Sequence, residues 1–154
     1  MTPLYVAIVA EARRPDWYHA GVPDTIDGRF DMVASVLSLV LMRLEREGPE
    51  TRSSQTLLTE IFIDDMDGEL RQLGIGDLMV GKHVGKMMGA LGGRISAFKA
   101  GIADGVLGPA IARNIFRDSE ADAAQLAAVE TLFRALKARI DAVPLPDLLA
   151  GRTA

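Results

Sequence analysis

Apolar residues recur every three or four positions along most of the chain, and no segment alternates apolar and polar residues as a β-strand does. This periodicity predicts an all-α, single-domain bundle of about six helices with short connections. We expect helices over residues 4–13, 26–47, 51–73, 77 to 98 or 100, 110–117 and about 119–143, with a short helical turn over 15–20. The helical domain then spans residues 1–143, and residues 144–154 form a C-terminal tail that we expect to fray.

The segment over residues 26–47 is expected to be the central helix of the bundle, because its apolar face is wide enough to leave little polar surface. That face carries Phe30, Val33, Leu37, Leu41 and Leu44. Asp24 or Thr25 can accept the free amide hydrogens at its start. Its longest apolar run, residues 32–42, is about half as long as a membrane span requires, which indicates a buried core helix.

Local signals predict where the later helices begin and end. Asp77 is the expected N-cap of the long fourth helix, and Gly101 is the expected start of the break that follows it. The tetrad over residues 119–122, Ser119-Glu120-Ala121-Asp122, resembles a capping box and predicts the start of the last long helix. The third long helix carries a polar stripe in which Asp67 and Arg71 are spaced for an ion pair.

Charge is distributed unevenly along the 154 residues, whose formal net charge is −4. Residues 1–77 carry a net charge of −7 and residues 78–154 carry +3. The block over residues 78–117 reaches +5, because six basic residues face the single acid Asp104. Such a block favours an anionic membrane surface or RNA if folding gathers it on one face, and otherwise it is an ordinary solvated helix face.

Candidate catalytic and metal-binding residues are few. The chain has no Cys and only two His residues, which excludes thiolate metal sites and cysteine nucleophiles. The acidic run over residues 64–69 lacks the ligand spacing of a calcium loop, and His83 does not share a helical face with Asp77. We therefore predict no metal and no cofactor, and these residues by themselves give no sign of a catalytic pair. No signal peptide is expected either, because the first residues lack a basic region.

Glycines in the fourth long helix form the most unusual pattern. Gly81, Gly85, Gly89 and Gly92 follow one another at spacings of 4, 4 and 3, beside Met87. Each interior glycine costs a helix about 0.5 to 1 kcal/mol relative to alanine, so another interaction must offset the loss. Two explanations stay open. Either a helix of the same domain packs closely on the ridge, or the ridge and its methionines receive an apolar helix from a partner.

Two blocks of residues resemble a known family. The first block is Gly21-Val22-Pro23-Asp24-Thr25-Ile26-Asp27-Gly28-Arg29-Phe30-Asp31. The second block is Asp65-Met66-Asp67-x-x-Leu70-Arg71-x-Leu73-Gly74-Ile75-Gly76-Asp77, leading into Val80-Gly81-Lys82-x-Val84-x-Lys86-Met87. Together with Gly93-Arg94 and Arg113-Asn114, they make residues 3–117 similar to the ubiquinol–cytochrome c chaperone family, whose members are assembly factors for the cytochrome bc1 complex.

The resemblance implies an all-helical, non-catalytic chaperone domain that binds newly made cytochrome b. Organelle relatives act near the ribosomal exit tunnel with a small partner subunit, and neither the ribosome nor that subunit is assigned to this chain. No DNA partner is implied. Because no targeting or anchoring extension is expected, we predict a cytoplasmic protein, peripheral on the inner membrane and in contact with anionic lipid.

The candidate site residues fall into two groups. The client- or partner-binding group is Gly81, Lys82, Gly85, Lys86, Met87, Gly89 and Arg94. The motif group, which either binds a partner or fixes two loops, is Asp24, Arg29, Asp67, Arg71 and Asp77. The alternative function is an enzyme or small-ligand-binding protein with a pocket between the loop over residues 17–29 and the segment over residues 67–77. A deep, enclosed pocket would favour that alternative, whereas an open surface would favour the chaperone.

Overall fold

A computed structural model describes residues 2–72, 74, 76–117 and 121–153, with the side chains at positions 2, 70, 77, 78, 80, 81, 83, 84, 87 and 88 left out. These residues form eight α-helices, one 3-10 turn and no strand, which confirms the all-α prediction. The helices are α1 (Thr2–Ala12), α2 (Pro15–His19), α3 (Ile26–Glu47), α4 (Arg52–Gln72), α5 (Asp77–Asp104), α6 (Gly108–Asn114), α7 (Ala123–Ala142) and α8 (Leu145–Leu149).

Helix α3 lies at the centre of the bundle and contacts α1, α4, α5 and α7. Its predicted bounds are confirmed. The Thr25 hydroxyl accepts a hydrogen bond of 3.0 Å from the Gly28 amide at the N-terminus. At the other end Gly48 adopts a positive φ of 116°, which glycine tolerates because it has no Cβ. Most of its residues are buried on every side, as the wide apolar face predicts.

Helix α5 is longer than the sequence pattern indicates. It continues through Gly101 and ends at Gly105, whose left-handed φ of 73° makes it the C-cap. A side chain at position 101 would lie 3.0 Å from the Val106 carbonyl oxygen, so this glycine permits a close turn instead of ending the helix. The prediction that Asp77 caps the helix is wrong, because Gly76 is the N-cap and Asp77 is the first helical residue.

The connections around α4 and α7 differ from the predicted ones in detail. A 3-10 turn over Pro49–Thr51 precedes α4, and the Thr51 hydroxyl donates to the Leu44 carbonyl oxygen at 2.5 Å. Helix α7 begins with a capping box, but it is formed by Asp122 and Gln125. Ser119, the predicted N-cap, lies outside the described residues, and Asp122, predicted as the fourth residue of the box, is the N-cap itself.

The C-terminal residues form a further helix, α8, although the sequence pattern predicts a fraying tail there. Leu148 of α8 is fully buried in the main core, and α8 contacts α1. Gly151 follows with a positive φ of 88°, and a Cβ at this position would lie 2.6 Å from the Pro3 carbonyl oxygen. The short helix is therefore held by tertiary packing and by a close backbone approach that sequence periodicity does not reveal.

Within the described part of the chain, no helix combines the length and apolarity that crossing a membrane requires.

Candidate functional site

The glycine-rich half of helix α5 presents an open face. Its exposed residues recur at helical spacing, and they include Met79, Lys82, Gly85, Lys86 and Gly89. A Cβ atom built on Gly85 or Gly89 would meet nothing in the described structure within 4 Å outside the local helix. Among the described residues, no other helix packs closely on these two glycines.

The same absence of neighbours extends to the next two glycines. Gly92 and Gly93 are exposed, and neither has an atom within 4 Å of its ideal Cβ among the described residues outside the local helix. Four exposed glycines cost this helix on the order of 2 to 4 kcal/mol relative to alanine. None of these four positions is itself packed against another described part of the chain.

Three of the predicted site residues on α5 have side-chain positions outside the described structure. Gly81 and Met87 belong to the helical backbone of α5, and Asp77 opens it. What surrounds these three residues lies outside the described structure, so only their positions in the helical register of α5 are known. Gly81, Gly85 and Gly89 share one ridge by that register, because their spacing is 4 and 4.

Lys82 and Lys86 are the basic side chains that remain free on this face. Both are exposed, and neither forms an ion pair with the residues that the structure describes. Elsewhere in the basic block Lys99 pairs with Glu45, and Arg117 pairs with Asp27 and Asp31. Folding thus pairs Arg94, Lys99 and Arg117 with acids of α3, whereas Lys82 and Lys86 on α5 and Arg113 on α6 stay exposed.

Arg94 is not part of the exposed basic surface, which corrects its assignment to client binding. Only 12% of its side chain is exposed, and its guanidinium pairs with the Asp31 carboxylate, which is 1% exposed. The Asp31 carboxylate also accepts a bond of 2.6 Å from the Arg117 Nε. Burial raises the pKa of Asp31 against the opposing effect of the two arginines, and burial lowers the pKa of Arg94. This cluster joins α3, α5 and the end of α6.

Sequence reasoning missed Asp31, although a signal for it exists. Asp31, Ser35 and Ser38 lie at i, i+4 and i+7 of α3, so they form a polar line on a helix that is otherwise apolar. Both hydroxyls are satisfied by carbonyl oxygens one turn earlier, at 2.6 and 2.7 Å. The carboxylate has no such local partner and requires cations from elsewhere in the chain.

The motif pairs occupy two separate places. The Arg29 Nη2 lies 2.9 Å from the Asp24 Oδ1 at the start of α3, where both side chains are exposed. The predicted pair between Asp67 and Arg71 near the end of α4 is confirmed, with 3.1 Å between the Arg71 Nε and the Asp67 Oδ2. Asp24 and Arg29 line a cavity, whereas Asp67 and Arg71 are not among its lining residues.

The cavity lies between α1, α2, the start of α3 and the end of α4, close to where the alternative function places a pocket. Its volume is about 790 Å³, and it is half open to solvent. Its apolar lining comprises Val9, Pro15, Ile26, Phe30, Val33 and Met66. Its polar lining comprises Arg13, Tyr18, His19, Asp24, Arg29, Asp65, Glu69 and Gln72.

The aromatic pair beside the cavity has a structural role. Trp17 is buried, and its indole donates a hydrogen bond of 3.0 Å to the Glu11 carbonyl oxygen. The Tyr18 hydroxyl donates to the Ala12 carbonyl oxygen at 3.1 Å, while the side chain lines the cavity wall. Trp17 is therefore an anchor of α2 against α1, and only Tyr18 faces a space that a ligand can enter.

One end of the cavity is acidic. The Tyr5 hydroxyl donates a hydrogen bond of 2.5 Å to the Asp65 Oδ2 from the neighbouring helix α1. Burial raises the pKa of the Glu69 carboxyl, and the charge of Asp65 one helical turn away raises it further. The exposed Arg13 pairs with Glu69 at 4.0 Å. Within the described residues, no three acidic or histidine side chains converge as metal ligands would.

Comparisons with known proteins cover most of the chain. A family model described as ubiquinol–cytochrome C chaperone matches residues 18–154. The fold is similar to the crystal structure of the Cbp3 homolog from Brucella abortus, with a TM-score of 0.81 and 30% sequence identity. That alignment covers 97% of this chain and 84% of the other. A search among curated proteins finds no match.

Proposed function

The chain belongs to the ubiquinol–cytochrome c chaperone family, and from that premise we propose that it is a non-catalytic assembly factor for the cytochrome bc1 complex. Its client is newly made cytochrome b, whose apolar helical segments it holds until assembly proceeds. The observation that carries this proposal is the family match over residues 18–154, together with the likeness in fold over nearly the whole chain.

The open face of α5 is the proposed client contact. Small residues allow two helix backbones to approach closely, and a stripe of small residues four positions apart is a common interface between apolar helices. Gly85 and Gly89 have free space above them, and Gly81 continues their ridge.

Lys82 and Lys86 give this contact a second function at the membrane. Both ammonium groups are exposed beside the glycine ridge. Each basic side chain near an anionic bilayer contributes about 1 kcal/mol of attraction. We propose that the protein works on the cytoplasmic side of the inner membrane, with these lysines at the lipid headgroups. A ribosome contact and a small partner subunit are not included in the proposal.

A gene deletion tests this function directly. In a bacterium that carries the gene, deletion should lower the amount of haem-containing cytochrome b, measured by reduced-minus-oxidised absorbance of membranes. The wild-type gene should restore it, and affinity capture of the tagged protein should recover cytochrome b during its synthesis. Unchanged cytochrome b in the deletion strain, together with no capture, would contradict the proposal.

The cavity supports a second candidate function, that of a small-ligand-binding protein. Its volume of about 790 Å³ is in the range that encloses a metabolite, and polar side chains line part of it. Because the cavity is half open, it does not have the deep enclosure that this alternative requires. A thermal shift of the purified protein with a metabolite pool, abolished by a bulky residue at position 33, would favour the second candidate.

A further inference from the structure

The cavity lined by α1, α3 and α4 has an apolar floor and an acidic end. Phe30, Val33 and Met66 contribute apolar surface to it, and Ile26 stands at the first turn of α3 with half of its surface exposed. An exposed isoleucine beside a cavity gains free energy when an apolar group covers it. The apolar part of the cavity therefore suits a ligand that brings apolar side chains from solvent.

Charge in the cavity is not balanced. Arg29 is matched by Asp24 at 2.9 Å, so that pair leaves no net charge. The remaining charged residues of the lining are two acids, Asp65 and Glu69, and one base, Arg13. Among the described residues, Asp65 has only the neutral Tyr5 hydroxyl as its hydrogen-bond donor. Arg13 lies 4.0 Å from Glu69, with most of its side chain in solvent. One carboxylate therefore lacks a cation.

Glu60 and Asp64 are exposed on the same helix, α4, but lie outside the cavity lining. Within the lining, the carboxylates of Asp65 and Glu69 exceed the single nearby cation, Arg13. An excess of one charge in a cleft attracts the opposite charge and repels the same charge. An anionic ligand is disfavoured for this reason, and a ligand that is apolar throughout would leave the acidic end unmatched.

We infer that this cavity binds the positively charged end of an apolar helix, with one lysine or arginine at Asp65 and Glu69 and the neighbouring apolar side chains against Ile26, Phe30 and Val33. The inference rests on the proposed function and adds the feature of the client that is recognised. Apolar helices destined for a membrane carry lysine and arginine at their cytoplasmic ends, so such a segment has the chemistry of both parts of the cavity.

The test compares three fluorescent Leu/Ala-rich helical peptides that differ only in two terminal residues, which are lysine, glutamine or glutamate. Binding to the full chain is measured by fluorescence anisotropy at low salt. The lysine peptide should bind roughly fivefold more tightly than the glutamine peptide, the effect of one partly exposed ion pair. The glutamate peptide should bind most weakly of the three.

Point variants test whether the preference for the lysine peptide arises in the cavity. Glu69→Gln should remove the preference for the lysine peptide. Asp64→Asn should keep that preference, because it changes the net charge by the same amount at a residue outside the cavity lining. Ile26→Ser should weaken all three peptides, and Leu57→Ser, an exposed position on α4 outside the lining, should not. Thermal unfolding of each variant verifies that it is folded. Asp65→Asn is a second variant that removes a negative charge from the cavity lining.

Several results would overturn the inference. Equal binding of the three peptides, or equal loss of preference with Asp64→Asn, would show that the cavity does not recognise a cation. Self-association that Glu69→Gln abolishes, without peptide selectivity, would assign the cavity to a second copy of the chain. If cytochrome b is captured normally by Glu69→Gln and Ile26→Ser, the inference fails while the chaperone proposal stands. If wild-type protein captures no cytochrome b, the proposed function itself fails.

Discussion

The Asp31 carboxylate accepts two hydrogen bonds from the Arg117 guanidinium, at 2.6 Å from Nε and 3.1 Å from Nη2, although 86 residues separate the two in sequence. Arg117 adopts a positive φ of 51°, which is unfavourable for a residue with a Cβ. The bidentate contact stabilises this conformation directly after α6. Asp31 thus connects the central helix to the backbone turn that leads toward α7.

Replacing Asp31 by alanine should destabilise the fold strongly. Arg94 would keep its charge with little exposure and no carboxylate beside it, and loss of one partner of a buried pair costs about 3 to 5 kcal/mol. Asp27→Ala is the matched control, because Asp27 also pairs with Arg117 but is 67% exposed, and it should cost less than about 1 kcal/mol. Urea unfolding at neutral pH measures both, and equal losses would contradict a special role for Asp31.

The open glycines of α5 should respond differently from core positions. Gly85→Leu and Gly89→Leu should each leave the unfolding midpoint unchanged or raise it, by about 0.5 to 1 kcal/mol in stability, because leucine favours helix and meets no neighbour. The same variants should capture less cytochrome b. Gly68→Leu is the control on α4, where nothing lies within 4 Å either, and it should not affect capture. Destabilisation by the α5 variants would show that the ridge is packed after all.

Gly28→Ala should have the opposite effect on stability. A Cβ at position 28 would lie 1.9 Å from the Pro23 carbonyl oxygen, so the loop before α3 must move. We expect a loss of about 1 to 3 kcal/mol, typical of overpacking, and weaker peptide binding because that loop carries Asp24 of the cavity. Gly68→Ala should stabilise by about 0.5 to 1 kcal/mol in the same thermal assay. A stable Gly28→Ala variant would show that the loop shifts freely.

Stability should depend on pH through Glu69. Its pKa is raised above the ordinary 4.5 by burial and by Asp65, so the folded state holds this proton more tightly than the unfolded state does. The free energy of unfolding therefore falls as pH rises from about 4.5 through the raised pKa. Glu69→Gln should lack this fall and gain stability relative to wild type across the window. Urea titrations at several pH values measure it, with Asp64→Asn reporting the effect of net charge alone.

Helices α3 and α5 show which helix boundaries can be predicted from local sequence. The bounds of α3 follow from a threonine cap, an apolar face and Gly48, all of which lie within the helix or next to it. The end of α5 does not follow from local sequence. Gly101 stays within the helix because Val106 and Leu107 approach it closely in the folded chain. Likewise α8 is short and contains proline, and burial of Leu148 makes it a helix.

The candidate site was predictable to the same limited degree. Periodicity places Gly85 and Gly89 on one ridge, but it does not tell what lies opposite them, and the described structure has open space there. Arg94 and Lys82 look equivalent in sequence, since both are basic residues of one helix. Only the fold shows that Arg94 is matched to a buried carboxylate from α3, whereas Lys82 remains in solvent.

The burial of α3 on all sides also determines which parts of the molecule can unfold locally. Amide protons of a helix that contacts four others exchange with solvent only when most of the tertiary structure is lost, so those around Leu37 and Val40 should exchange at the rate of global unfolding. Amides beside the exposed glycines of α5 lack such cover and should exchange through local fraying. The exposed half of α5 can therefore rearrange while the central helix keeps the rest of the molecule folded, which is what the proposed client contact on α5 requires.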